Sequence, residues 1–466
     1  MSRQRNGHFQ TSKIERTAYC LFFLGQNILW GYAGYVETFL TDIGITAATA
    51  AAILLLPKLW DAVNDVLFGY LMDRFTFRNR QKFLPWARIG TSAIGITTVA
   101  LFAIPPAMNQ SLKVLWFLIA YILFDISYTI LDAPAYALTT VMTSDVEERT
   151  GIIAGGKLWA MVGGVVATLL VPILRPKLGW FAACVVFTAV SVVLMIPMLL
   201  RVQERHSASP AASDTENLRD MLRYLKNNHY LQVTLVSMLL LGLASLEQKM
   251  AIYTGRICLG QENMATLVAG GAALSVITVS AIVPALAKKW DKFHVLCAGL
   301  VFAMVMDVAA YFLGYDNLVV ALVMTMLKCS GLGFWSVVIY MLIADTVEYG
   351  TYRTGIRAAG ISFSLQTFVA KLKNGLMGSV VLLSLSAVGF VEGEGAIQPE
   401  GVAEGVWALF CLFPAAGFAV ALVILLLGYK LRTKDVQIMA RYNNGELSKE
   451  EAESFLAQKY GPAGDA

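Results

Sequence analysis

The chain has 466 residues, of which 57% are hydrophobic and only 15% charged, and its mean hydropathy is +0.63. A soluble domain carries roughly 25% charged residues, so this composition excludes one and places most of the chain in a bilayer. The formal net charge of +4 is too small to support a nucleic-acid partner.

Crossing a hydrocarbon core takes about 20 apolar residues. Twelve such runs occur, at 17–41, 47–72, 86–106, 112–140, 151–174, 178–200, 230–256, 264–287, 294–313, 317–344, 359–390 and 404–430. The expected fold class is therefore an all-α membrane protein of twelve transmembrane helices. The first run is too long for a cleavable signal and no small-residue cleavage site follows it, so it is expected to remain as a span. An even number of spans puts both termini on one side, which basic residues mark as cytoplasmic. They are Arg3, Arg5, Lys13 and Arg16 at the start, Arg74, Arg78, Arg80 and Lys82 after the second run, and Lys288, Lys289 and Lys292 after the eighth. The longest loop on the other face carries Glu392, Glu394, Glu400 and Glu404.

The second run holds Asp61, Asn64 and Asp65 among Ala, Ile, Leu, Val and Phe. Positions i, i+3 and i+4 share one helical face, and two carboxylates at bilayer depth are costly enough to need a function. Clustered oxygens on a buried face suit a small hard cation or a proton. Lys58 lies on nearly the same face, so a neutralised buried ion pair is the alternative. The fourth run carries Asp125, Thr129, Asp132 and Tyr136 at spacings of 4, 3 and 4, which also align on one stripe.

Between the sixth and seventh runs the segment His206-Ser-Ala-Ser-Pro-Ala-Ala-Ser-Asp214 is polar and small, as a linker is. It divides the chain into six-helix halves at 1–201 and 229–431, with a cytoplasmic linker at 202–228 and a cytosolic tail at 432–466. An internal echo supports the division. Asp145, Glu148, Arg149, Thr150 and Gly151 follow the fourth run, while Asp345, Glu348, Arg353, Thr354 and Gly355 follow the tenth, as in two related halves. Leu218, Met221, Leu222 and Leu225 have helical spacing and suggest a segment along the membrane surface. In the tail, Ser448 and Glu451 have the spacing of a capping box for a short helix.

Two six-helix halves joined by a cytoplasmic linker describe the major facilitator architecture. Gly69-Tyr-Leu-Met-Asp73-Arg74, followed by Arg78 and Arg80, resembles the loop signature of that superfamily, with a fainter copy at Trp290-Asp291-Lys292. Asp73 and Arg74 are thus gate candidates, as are Arg149 and Arg353 near the cytoplasmic ends of related helices; positive-inside charge alone also accounts for such residues.

Four stretches, in order, resemble the glycoside-pentoside-hexuronide:cation symporters, the family of melibiose permease. They are Trp60-Asp-Ala-Val-Asn-Asp65, Tyr128-Thr-Ile-Leu-Asp-Ala-Pro134, Ala344-Asp-Thr-Val-Glu-Tyr-Gly350 and Gln366-Thr-Phe-Val-Ala-Lys371, and the resemblance runs from about residue 15 to 430. It implies a cation site, for Na+ or H+, at Asp61, Asn64, Asp65 and Thr129. It implies a sugar site at Asp132 and Tyr136, with Asn27, Lys157, Gln366 and Lys371 contributing. Trp335, in the tenth run, is a further candidate to face the cavity, with simple packing the stronger alternative. The melibiose-permease pattern has Asp, Arg and Trp where Asn27, Lys157 and Tyr136 stand. One carboxylate is lost and two amines are kept, a more positive cavity that suits an anionic sugar such as a hexuronide or a sulfonated sugar. Glu247 and Lys249, in the seventh run, are read as a local charge pair.

No other chemistry competes. The six cysteines, at 20, 184, 258, 297, 329 and 411, have no metal or redox spacing. His8, His206, His229 and His294 lie in loops or at the ends of runs, and no phosphate-binding Gly-Lys-Ser or Gly-Lys-Thr loop occurs. The expectation is a non-enzymatic, monomeric, multi-pass inner-membrane symporter without a cofactor, whose partners are a sugar or glycoside, a monovalent cation and the bilayer. The rival expectations are a sodium-coupled lipid carrier and a sugar-binding membrane sensor. An enzyme stands behind both, for want of a nucleophile and base.

Overall fold

A computed structural model of the chain describes residues 10–74, 77, 81–143, 145–205, 225–226, 228–355 and 359–462. These fold into α1 (Lys13–Ala33), α2 (Val36–Asp42), α3 (Ala47–Arg74), α4 (Leu84–Leu101), α5 (Gln110–Met142), α6 (Val146–Arg201), α7 (His229–Leu240), α8 (Leu246–Tyr253), α9 (Met264–Lys289), α10 (Lys292–Leu313), α11 (Leu318–Lys328), α12 (Ser330–Thr354), α13 (Ala359–Ala387), α14 (Val402–Gly428), α15 (Thr433–Asn443) and α16 (Lys449–Tyr460). Among the described residues there is a helix at each of the twelve expected runs. Among the described residues, eight helical segments are long and apolar enough to cross a membrane on length and composition. The longest of them, Gly151–Arg201, contains two expected runs, and it breaks at Gly179, where φ is 75°, a conformation that only glycine adopts at no steric cost.

Helix starts follow from local chemistry. Ser12 and Glu15 close a capping box on α1, while Asn109 caps α5 and Asn317 caps α11 with side-chain oxygens. Glu204 Oε1 accepts from the backbone N–H groups of Phe83 and Leu84 at 2.9 and 2.6 Å, an anion at the α4 N-terminus where the helix dipole favours it. The capping box read at Ser448 and Glu451 is present and starts α16.

The chain forms two compact units, Met1–Ala212 with Leu385–Pro399, and Ser213–Ser384 with Glu400–Ala466. In the first, small residues bring α1 and α6 into close contact: a Cβ on Gly31 would meet Ala167 Cβ, and one on Gly163 would overlap Leu24 O. Such approach suits a bilayer, where packing and not hydrophobicity holds helices together. At one end of this unit Arg175 and Asp42 form a buried ion pair that also takes in Trp180 Nε1, and Glu394 reaches Arg175 at 3.0 Å. In the second unit a continuous apolar core includes Leu300, Trp335, Leu342, Phe418 and Leu425, and it extends to Met439, Leu456 and Tyr460 of the tail. The tail is thus packed onto its unit. Of the surface-segment expectation, Leu218, Met221 and Leu222 lie outside the described residues.

Candidate functional site

In the N-terminal unit, the site begins at the contact between α3 and α5. Asn64 and Thr129 are each 6% exposed, and Asn64 Nδ2 donates to Thr129 Oγ1 at 2.8 Å. Asp61 and Asp65 stand one turn before and one residue after Asn64 in the same helix. Their side chains lie outside the described residues, as do those of Lys58, Asp73 and Arg74. Pro57, inside α3, removes a backbone N–H just before this segment.

One turn further along α5, Asp132 is half-buried and its Oδ1 accepts from Gln26 Nε2 of α1 at 2.6 Å. Pro134 interrupts the backbone ladder beside it, and Gly90 lets α4 press against the Leu131 backbone, 2.6 Å from where a Cβ would stand. Tyr136 packs its ring on Phe23 with centroids 4.8 Å apart, and Phe23 in turn meets Tyr19 at 4.9 Å. Tyr19 and Tyr136 both lie within electrostatic reach of Asp132. Among the described residues the buried Tyr19 hydroxyl and Gln26 Oε1 have no hydrogen-bond partner. A carboxylate, an unengaged hydroxyl and an unengaged amide oxygen beside aromatic faces make a set that can hold a polyhydroxylated molecule, since buried polar atoms are rarely left unpaired.

Asn27 turns away from this cluster to donate to Phe23 O in its own helix, at 3.0 Å. Sequence reasoning missed its neighbour Gln26, although a signal existed: Tyr19, Phe23, Gln26 and Trp30 recur at 4, 3 and 4, the same stripe spacing as on α5. Trp30 packs against Tyr128, with centroids 4.5 Å apart and ring planes tilted by 42°. Asp125 is buried on the α5 stripe, and Lys157 is exposed on α6.

The remaining candidates belong to the C-terminal unit. Gln366 is buried and Lys371 exposed on α13. Trp335 is packed in the apolar core, the stronger of its two alternatives, because its position on α12 faces neighbouring helices. Glu247 does not form the expected local pair with Lys249; its carboxylate is 2.6 Å from Lys328 Nζ, a partner distant in sequence.

Arg149 and Arg353 have different settings. Arg149 is half-buried at the start of α6, next to Glu148. Glu148 accepts from the Thr11 hydroxyl and backbone N–H, from Gln10 N at 3.1 Å and from Thr143 Oγ1 at 2.7 Å. Burial works to raise the Glu148 pKa, but these hydrogen bonds together outweigh it and hold the carboxyl down at about 2. Arg353 Nη1 donates to Pro462 O at 2.8 Å and Tyr352 to Gly461 O at 3.0 Å, so both hold the tail.

A family model described as MFS/sugar transport protein matches residues 23–433. The isoprimeverose transporter of Lactiplantibacillus pentosus is 24% identical over 442 residues, covering 91% of this chain and 90% of its own. The putative sulfoquinovose importer of Escherichia coli is 23% identical over 447 residues, covering 94% of this chain and 95% of its own. Among solved structures, the nucleoside transporter NupG has a TM-score of 0.67 at 14% identity, covering 90% of this chain and 100% of that one. That likeness is one of fold.

Proposed function

This chain belongs to the MFS/sugar transport protein family, and on that premise we propose that it is a cation-coupled symporter that moves a sugar or glycoside by alternating access. The relatives are transporters and not enzymes, and the chain is a multi-pass membrane protein. The observation that carries the proposal is the 2.8 Å hydrogen bond between Asn64 and Thr129. It joins the helix that bears Asp61 and Asp65 to the helix that bears Asp132.

In this reading Na+ or H+ binds at Asp61, Asn64, Asp65 and Thr129. Neutralising two carboxylates at bilayer depth removes a charge penalty, and Thr129 is one turn from Asp132, so ion and sugar favour each other's binding reciprocally. Asp132, a charged acceptor, takes sugar hydroxyl donors more strongly than a neutral one would, with Gln26 fixing its orientation and Tyr136 offering a ring face. Lys157 and Lys371 with an uncharged Asn27 favour an anionic sugar, a hexuronide or a sulfonated one, and the relative named for sulfoquinovose is in line with this. Positive-inside charge places both termini in the cytoplasm of a cell with the chain in its plasma membrane, where it works as a monomer.

Calorimetric titration of the purified protein with glycosides, uronides and sulfonated sugars, each with and without Na+ and at two pH values, tests the reading. The expected result is a sugar affinity that rises with one of the two cations. An affinity indifferent to both would remove the coupling.

A further inference from the structure

The C-terminal unit contains a charged cluster that neither the cation nor the sugar reading uses. Lys328, at the end of α11, is fully buried. Its Nζ lies 2.6 Å from Glu247 Oε1 of α8, 3.2 Å from Asp307 Oδ1 of α10 and 2.7 Å from Phe410 O of α14, so all three ammonium donors are engaged. Cys329 Sγ donates to Glu247 Oε2 at 2.5 Å. Glu247 is 2% exposed and Asp307 0%. Cys411 of α14 is the further titratable group that faces Lys328.

Two carboxylates face one ammonium. With both ionised the cluster would bury an uncompensated negative charge, which a low-dielectric interior strongly disfavours; one proton makes it neutral. The geometry says which carboxyl takes it. Glu247 accepts on both oxygens, from the ammonium and from the thiol. Asp307 has the longer contact to Lys328 and lies within hydrogen-bonding reach of the Glu247 carboxylate, and among the described residues no donor reaches its buried Oδ2. A bare buried oxygen is tolerated far better on a neutral acid than on an anion.

We propose that Glu247, Asp307 and Lys328 form a one-proton binding site in the C-terminal unit, with the proton carried on Asp307. The site is also built to change. Glu247 sits on the two-turn helix α8, bracketed by a 3₁₀ turn at Leu241–Ser245 and a π turn at Thr254–Cys258, and such changes of helical pitch mark hinges. Displacing α8 takes Glu247 from Lys328, and the ammonium then pairs with Asp307 and expels its proton. The number of protons bound thus depends on where α8 lies.

The test is infrared spectroscopy of the full-length protein in lipid at neutral pH, comparing wild type with Asp307→Asn. With the aspartate carboxyls labelled with carbon-13, the expected wild-type-minus-variant spectrum contains a protonated-carboxyl carbonyl band shifted down by the label and no net ionised carboxylate; an unshifted band would put the proton on Glu247 and overturn the assignment. A difference that consists of ionised carboxylate bands would overturn the proposal. Should Asp307→Asn fail to fold, Glu247→Gln decides in its place. The remaining Asp307 must then ionise opposite Lys328, so the protonated band is expected to vanish; loss of an ionised carboxylate instead would overturn the site. The spectrum is read without sugar or ion gradients, so it stands or falls separately from the transport reading.

Discussion

Gln26 Nε2 of α1 holds Asp132 Oδ1 of α5 at 2.6 Å, so the carboxylate proposed to take sugar hydroxyls is already oriented by a neighbouring helix. Replacing Gln26 with Leu removes that donor, and hydrogen bonds to charged groups contribute about 1.5–3 kcal/mol. Sugar affinity is expected to fall on the order of tenfold or more in calorimetric titration, with the helical content of the protein unchanged.

Thr129→Val keeps the shape of the side chain but leaves the buried Asn64 Nδ2 without the acceptor it has at 2.8 Å. An unsatisfied buried donor costs about 1–3 kcal/mol. Cation affinity is expected to fall roughly tenfold, while sugar affinity measured without the cation stays within about twofold.

Glu148 makes stability depend on acid. Its carboxyl is held down at about 2 against an ordinary value of 4.5, so the stabilisation is fully present above the ordinary value and is lost as pH falls through the folded one. Thermal unfolding of wild type is expected to drop steeply between about pH 5 and pH 2. Glu148→Gln is expected to be less stable at neutral pH and to show a shallower slope across that window.

The tail is held by Arg353 and Tyr352, which donate to Pro462 O and Gly461 O, and by Leu456 and Tyr460 in the apolar core. The double variant Arg353→Ala with Tyr352→Phe is expected to release α16. Limited proteolysis after Thr433 should then run several-fold faster than in wild type, following the free energy of local opening.

Gly163 allows α6 to approach α1 so closely that a Cβ would overlap Leu24 O. Gly163→Val is expected to lower stability by about 1–3 kcal/mol through overpacking and to disturb Asn27, whose Cβ is the next contact at 3.1 Å. Unfolding in detergent measures the loss.

Helix positions were legible because apolar runs of span length need no tertiary context, and the Ser448–Glu451 capping box because both partners lie within one turn. The alignment of Thr129 and Asp132 on α5 was legible for the same reason. Contacts between helices were not. Adjacent residues on a helix point about 100° apart, so choosing Gln26 over Asn27 required knowing where α5 lies. Glu247 finds Lys328 and not Lys249 because a buried carboxylate pairs with whichever ammonium packing brings to it, and spacing along one helix says nothing of another. For Trp335 the sequence left cavity and core both open, and packing decides which face of α12 is dry.

The central claim is coupling through the α3–α5 contact, and accumulation in proteoliposomes tests it most directly. Wild type and Asp65→Asn would be loaded under an imposed sodium or proton gradient and given a panel of neutral glycosides, uronides and sulfonated sugars. The account predicts uphill accumulation of one sugar class under one cation gradient, abolished in Asp65→Asn. Equal uptake with and without either gradient, or accumulation that Asp65→Asn retains, would contradict it.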